Sequence, residues 1–143
     1  MTKRYDRSYF DKWYRDPGHR VSSRMTLELK VRLALATAEY HLGRPVSSVL
    51  DIGCGEGAWR PILCELRPEA SYLGLESSEY AVRRYGLARN IRPATFGQLA
   101  ELRFDRAFDL IVCADVLHYV RGAELERGLR GLAEMLHGLA FIE

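Results

Sequence analysis

Hydrophobic and polar positions along this chain fall into two alternating rhythms. Ser48-Val49-Leu50-Asp51-Ile52, Tyr72-Leu73-Gly74-Leu75-Glu76 and Phe108 to Ala114 are short, almost continuously apolar runs. Apolar runs of that length without alternation read as strands buried on both faces. Between them lie longer segments with a 3.6-residue period. From Ser22 or Ser23, either able to cap a helix, to about Leu42, the residues Leu27, Val31, Ala34, Leu35 and Ala38 share one face. Gly43 and Pro45 stop that helix. Ala58 to Arg67 reads as a second helix, with Pro61 tolerable only in its first turn and Pro68 at its end.

Ser78 caps a third helix to about Arg89, and Gly122 to His137 forms the last one, ending at Gly138. Ala94-Thr95-Phe96 reads as a short third strand, and Leu139-Ala140-Phe141-Ile142 starts a fifth. Gly128 and Gly131 each cost the last helix roughly 1 kcal/mol unless they permit close packing on the sheet. Strands alternating with helices predict the α/β class, a doubly wound and mainly parallel sheet of about five strands with helices on both faces. Residues 1–22 stand apart as an N-terminal segment that reaches a turn at Asp16-Pro17-Gly18, leaving 23–143 as the main domain.

Composition narrows the class without changing it. The chain has 143 residues, 48% hydrophobic and 28% charged, with 12 Gly and 5 Pro. That suits one soluble globule and excludes a disordered tail, a collagen-like repeat or a disulfide-stapled miniprotein. No apolar run approaches the ~20 residues that cross a bilayer. The N-terminus lacks a signal-like apolar core, and Asp6, Asp11 and Asp16 argue against an organellar presequence, so a cytoplasmic location is expected. Net charge is +2, with residues 1–30 at +4 (eight basic, four acidic) and the remainder at −2. This is too weak a basic face for a nucleic-acid partner. Cys54, Cys64 and Cys113 form no C-x-x-C pair and suit free thiols, while the four histidines show no metal-ligand spacing. No metal is expected.

The informative stretch is Val49-Leu50-Asp51-Ile52-Gly53-Cys54-Gly55-Glu56-Gly57. A strand delivers the chain to a turn in which three alternate residues lack a Cβ, and a helix follows at once. Backbone can then come within contact distance of a flat or anionic ligand outside the carboxyl ends of the strands. Glu76 ends the second strand 19 residues after Gly57, where a carboxylate can accept hydrogen bonds from both hydroxyls of a ribose. The glycine spacing is G-x-G-x-G rather than the G-x-G-x-x-G of dinucleotide folds, which disfavours a nicotinamide-dependent dehydrogenase.

Taken together, V-L-D-I-G-C-G-E-G, G-L-E-S-S and F-D-L-I-V-C-A-D-V-L-H-Y-V resemble the class I S-adenosylmethionine-dependent methyltransferases across about residues 46–143. The resemblance implies a Rossmann-like sheet whose strands run in the order 3-2-1-4-5, with S-adenosylmethionine lying across their carboxyl ends. Carried over position by position, it implies that Asp51, Gly53, Cys54 and Gly55 hold the methionine part of the cofactor. Glu76 would take the ribose, and Ser77 would lie beside the adenine. Cys113 and Ala114 would floor the pocket near the sulfonium. Where the family often has Gly-Asp after the third strand, this chain has Gly97-Gln98. The Gln98 oxygen can take the same hydrogen bond from the adenine amino group without charge, and Leu99 can supply an apolar contact. After the fifth strand the family normally adds a helix and an antiparallel strand pair. The resemblance therefore implies a fold without its C-terminal part, either a shortened chain or one that forms a homodimer through the exposed sheet edge.

For such a protein the expected reaction is in-line methyl transfer to a small-molecule acceptor. The alternative is an inactive methyltransferase-like module that only binds S-adenosylmethionine or S-adenosylhomocysteine. The fourth strand ends Cys113-Ala114-Asp115-Val116, unlike the Asn/Asp-Pro-Pro-aromatic run of amino-directed nucleobase methyltransferases. Asp115, His118 and Tyr119 would face the acceptor, with His118 the candidate base. Tyr5, Tyr9, Phe10 and Trp13 recur at three- to four-residue intervals and suit a lid over the cofactor, where rings can stack on a cation.

Overall fold

The computed structural model describes residues 4–20 and 22–143. Residues 1–3 and 21, which fall within the expected lid segment, lie outside the described residues. Five parallel strands form one sheet: β1 (Ser48–Ile52), β2 (Ser71–Glu76), β3 (Ile91–Pro93), β4 (Phe108–Cys113) and β5 (Leu136–Ile142). Their order is β3-β2-β1-β4-β5. The chain therefore winds outward from β1 in one direction and then from β4 in the other. At that switch point the connections leaving β1 and β4 diverge and open a crevice at their carboxyl ends.

Every residue of β1 is buried, which explains its lack of alternation. Val49, Leu110 and Val112 face α2 (Arg24–Leu42) and α3 (Trp59–Leu66), packing with Val31, Leu35, Trp59 and Leu63. Leu50, Ile52, Ile111 and Cys113 face the other way, toward Leu132 and Met135 of α5 (Gly122–Met135) and the 3-10 turn Phe96–Ala100. Helix α4 (Glu79–Arg89) runs between β2 and β3. Capping follows the sequence: Ser23 Oγ accepts from Thr26 N at 3.1 Å, and Ser78 Oγ from Ala81 N at 3.2 Å. Gly43, at φ 66°, closes α2.

Three local readings change. The third strand is Ile91–Pro93 rather than Ala94–Phe96. Asn90, left-handed at φ 54°, ends α4 and turns the chain directly into pairing with Gly74. Thr95 and Gln98 then form a capping box that starts the 3-10 turn, so the β-branched and aromatic residues serve a cap and a core contact. The last helix ends at Met135, and β5 begins at Leu136 because Leu136 already pairs with Phe108. Gly138 is therefore no helix stop; a Cβ there would strike the Asp109 carbonyl on the neighbouring strand. Gly128 and Gly131 do permit close packing, but against Phe96 and the Leu99–Ala100 backbone rather than the sheet.

Arg44 ties the far end of the sheet together. Its guanidinium donates to both oxygens of buried Asp109, at 2.7 and 2.8 Å, and Ser47 N and Oγ donate to the same carboxylate at 2.8 Å. This joins the start of β1 to the start of β4. At the other end of the sheet the strands stop around the crevice.

Candidate active site

The glycine turn forms the floor of that crevice. Gly53 N and Cys54 N both donate to the Leu75 carbonyl, at 2.7 and 3.1 Å, fixing the end of β1 to the end of β2. Gly53, Gly55 and Gly57 have φ of 65°, 55° and 70°, conformations that favour glycine at all three places. Crowding adds a second reason at two of them. A Cβ on Gly53 would run into Val116, and one on Gly55 would run into the Tyr14 hydroxyl.

Glu76 lies against this turn and is only 8% exposed. Its Oε2 accepts from Gly55 N and its Oε1 from Ser78 N, each at 2.8 Å. Oε1 also accepts from the Ser77 hydroxyl at a long 3.4 Å, whereas Oε2, with two acceptor directions, retains one for a ligand. Asp51, also buried, accepts a 2.7 Å hydrogen bond from the Tyr72 hydroxyl. Burial raises its pKa to about 7; Tyr72 opposes the shift and the nearby Glu76 charge adds to it. Burial likewise pushes the Cys54 thiol upward, which makes it an inert wall rather than a nucleophile.

The N-terminal segment closes the crevice from above. Asp6 caps the short helix α1 (Arg7–Phe10), which continues as the π-helical turn Asp11–Arg15. Its anchors are specific. Arg15 Nη2 donates to Glu56 Oε1 at 2.7 Å and to the Tyr85 hydroxyl at 2.6 Å, and Tyr85 itself donates to Glu56 at 3.0 Å. Ser78 Oγ donates to the Tyr5 carbonyl at 2.5 Å. Phe10 is buried, with its ring 5.2 Å from that of Tyr14 and 5.6 Å from that of Tyr80. The partly covered cavity holds about 650 Å³, within the range of small-molecule sites.

Of the residues expected at the site, Asp51, Gly53, Cys54, Gly55, Glu76, Ser77, Leu99 and Ala114 all line this cavity. So do Asp115, His118 and Tyr119, with the His118 ring centred 3.8 Å from that of Tyr119. Tyr5, Tyr9, Phe10 and Trp13 line its roof. Two expectations fail. Gln98 is exposed and does not line the cavity, because its side-chain oxygen accepts from Thr95 N at 2.8 Å in the capping box. Cys113 points into the α5 side of the core, fully buried, where burial raises its thiol to about 12. The neighbouring Ala114 takes its place in the cavity wall.

Sequence reading missed Tyr14, Trp59, Arg20 and Lys30, all cavity residues. The Tyr14 contact joins positions 41 residues apart that no local pattern relates. Lys30 sits on the helix face of Leu27 and Val31, a signal visible in the sequence, and its Nζ lies 2.7 Å from the Glu143 carboxylate at the end of β5.

A parallel sheet with a switch point, a left-handed glycine turn and a strand-end carboxylate facing one cavity place the chain among the open α/β folds that carry a ligand crevice at the carboxyl ends of their strands. The chain belongs to the methyltransferase domain family, whose model matches residues 50–138. No curated protein sequence matches it. Among solved structures, the sugar N-methyltransferase KedS8 from a Streptoalloteichus species superposes with a TM-score of 0.72 at 21% identity, covering 99% of this chain and 55% of that one. The plantazolicin methyltransferase BpumL, in complex with S-adenosylhomocysteine and a desmethylplantazolicin analogue, gives 0.70 at 19% identity, covering 90% of this chain and 53% of that one. The N-methyltransferase NodS from Bradyrhizobium japonicum gives 0.57 at 25% identity, with coverages of 80% and 62%. This chain thus spans about half the length of KedS8 and BpumL, and at these identities the likeness carries the fold. Among the described residues, no helix is long and apolar enough to cross a membrane.

Proposed function

We propose that this chain binds S-adenosylmethionine in the roofed cavity and transfers its methyl group to a small-molecule acceptor. The observation that carries the reading is the register of Glu76 with the glycine turn, in a chain of the methyltransferase domain family. The residues present fit the cofactor. Glu76 keeps a free acceptor direction on Oε2 for one ribose hydroxyl, and a second ribose hydroxyl would displace the long Ser77 contact on Oε1. Buried Asp51 supplies a carboxylate for a ligand ammonium group. The two crowded glycines leave backbone rather than side chain at the floor. Phe96, Leu99 and Ser77 offer an apolar slot with one hydroxyl for adenine.

When bound, the cofactor supplies an electrophilic methyl on a sulfonium; the acceptor's lone pair forms the new bond to carbon, and the old bonding pair stays on sulfur. The chain's own residues position and shield. Orientation alone lowers such barriers by roughly 7–11 kcal/mol. The aromatic roof of residues 4–20 excludes water, and its rings suit a neighbouring cation. Residues 23–143 would form the binding domain and residues 1–22 its cover. Asp115, His118 and Tyr119 flank the acceptor side, and His118 accepts a proton where the attacking atom carries one. Gln98 and Cys113 have no part in this scheme.

Separate calorimetric titrations with S-adenosylhomocysteine and NAD⁺ test the reading. S-adenosylhomocysteine should bind and NAD⁺ should not, and Glu76→Ala should weaken the former roughly ten- to a hundredfold. Binding of NAD⁺ alone, or undiminished affinity in Glu76→Ala, would overturn the assignment. Methyl transfer across a metabolite panel distinguishes an enzyme from a module that only binds.

A further inference from the structure

Helix α2 is apolar on two opposite faces. Val31, Ala34, Leu35 and Ala38 are buried against the sheet. On the reverse side, Met25, Leu29, Leu33 and Tyr40 are 73, 62, 60 and 91% exposed, and exposed Ala36 completes the row. Polar positions such as Glu28, Lys30 and Arg32 separate the two faces, so the exposed row is an apolar patch of its own, the kind of surface that marks an association site. The stripe carries no charge, and none of its residues lines the cavity.

We infer that this stripe is the contact through which two copies of the chain associate, α2 against α2 in antiparallel register. Three features select a second copy. The spacing of Leu29, Leu33, Ala36 and Tyr40 is four, three, four, the alternation by which one helix seats knobs in another. The row is also self-complementary. With a twofold axis beside Leu33, Met25 falls opposite Tyr40, a favourable sulfur–ring contact, and Leu29 falls opposite the small Ala36.

Charge fits as well. Antiparallel helices place each positive N-terminus beside the other's negative C-terminus. Arg32, closest to the axis, is neutralised within its own copy by Glu28 at 2.7 Å. Aromatic side chains bury roughly 150–250 Å² each, and the smaller Leu and Met side chains less. At the observed exposures the stripe therefore offers of the order of 500 Å² per copy and about 1,000 Å² per pair, the lower bound for a specific contact. The expected dimer is therefore a weak one, with micromolar affinity. The outer edge of β5 is the competing surface, and the test separates the two.

Sedimentation velocity of the whole chain between about 1 and 200 µM should show a concentration-dependent dimer. The double variant Leu29→Glu/Leu33→Glu should remain monomeric at 200 µM while melting within a few degrees of the parent, since both residues are exposed. In a Cys64→Ser background, Leu33→Cys should form a disulfide-linked dimer on mild oxidation. Tyr40→Cys should not, because antiparallel register holds the two copies of residue 40 about 22 Å apart along the axis. A parent chain that is monomeric at 200 µM, or a dimer that survives Leu29→Glu/Leu33→Glu, would overturn the proposal. Dimer survival would assign the contact to the β5 edge.

Discussion

Glu76 Oε2 accepts a hydrogen bond from the Gly55 N–H at 2.8 Å, so the carboxylate proposed to receive a ribose also holds the glycine turn in shape. One side chain thereby shapes the floor and offers itself to the ligand. Glu76→Ala strands two buried N–H groups, those of Gly55 and Ser78. Each unsatisfied donor costs about 1–3 kcal/mol, so the ligand-free variant should melt several degrees below the parent. Glu76→Gln keeps one acceptor and should lose about half as much. Differential scanning fluorimetry without ligand reads this effect apart from binding. A Glu76→Ala melting point equal to the parent's would mean that the bracing contributes nothing.

The Tyr14 hydroxyl occupies the space that a Cβ on Gly55 would need, which links the roof to the floor. Gly55→Ala should therefore suffer twice, from a left-handed alanine and from a displaced roof. Gly43→Ala is the control: its φ is 66°, but nothing lies within 4 Å. It should lose only the conformational cost of about 1 kcal/mol. Gly55→Ala should lose more, and should also weaken S-adenosylhomocysteine binding. Adding Tyr14→Phe, which removes the crowding oxygen, should restore part of both losses. Equal destabilisation by the two alanines would show that Tyr14 gives way freely.

The sheet was readable because its strands are apolar without alternation, and Ser23, Ser78 and Gly43 punctuate the helices with residues of a single strong preference. The floor of the site was readable for the same reason: left-handed glycines and a strand-end acid are local signals. Boundaries slipped where tertiary contact overrode local preference. Pairing with Phe108 draws Leu136 out of the helix, and the turn after Asn90 starts β3 early. Gln98 misled because a capping box and an adenine contact ask for the same side-chain oxygen. Cys113 sits at the right strand end, but on the face of the sheet turned away from the cavity.

Arg44 holds the Asp109 carboxyl well below the usual carboxylate range, helped by the Ser47 donors and opposed by desolvation. A depressed folded-state pKa contributes stability that is present above the unfolded value near 4 and lost as pH falls through the folded one. Urea unfolding should therefore show a stability decline below about pH 4 that Asp109→Asn lacks. At pH 7 that variant should be destabilised by about 2–4 kcal/mol, because Arg44 and Ser47 lose their shared charged acceptor. A variant as stable as the parent at pH 7 would rule out the clamp.

Asp51 behaves in the opposite sense. Burial raises its pKa from an ordinary 3.8 to about 7, so the folded chain holds a proton that the unfolded chain releases. Between these values the native state binds more protons than the unfolded state. Stability from this group therefore falls as pH rises from about 4 to 7 and is flat above. Asp51→Asn keeps an oxygen for the Tyr72 hydroxyl and has no charge to desolvate. Without ligand it should be more stable than the parent by about 1–4 kcal/mol at pH 8, and by less at pH 5. Ligand binding should reverse the ranking. An ammonium group beside Asp51 favours the carboxylate, so binding expels the proton below about pH 7. S-adenosylhomocysteine affinity in the parent should then weaken by up to tenfold per pH unit between 7 and 5.5, and the asparagine variant should bind weakly with little pH dependence. Methylthioadenosine, which lacks the amino-acid tail, should show no such slope in either protein. Parallel pH profiles for parent and variant would place the ammonium away from Asp51, while an asparagine variant less stable at pH 8 would mean that the carboxylate is already solvated or paired.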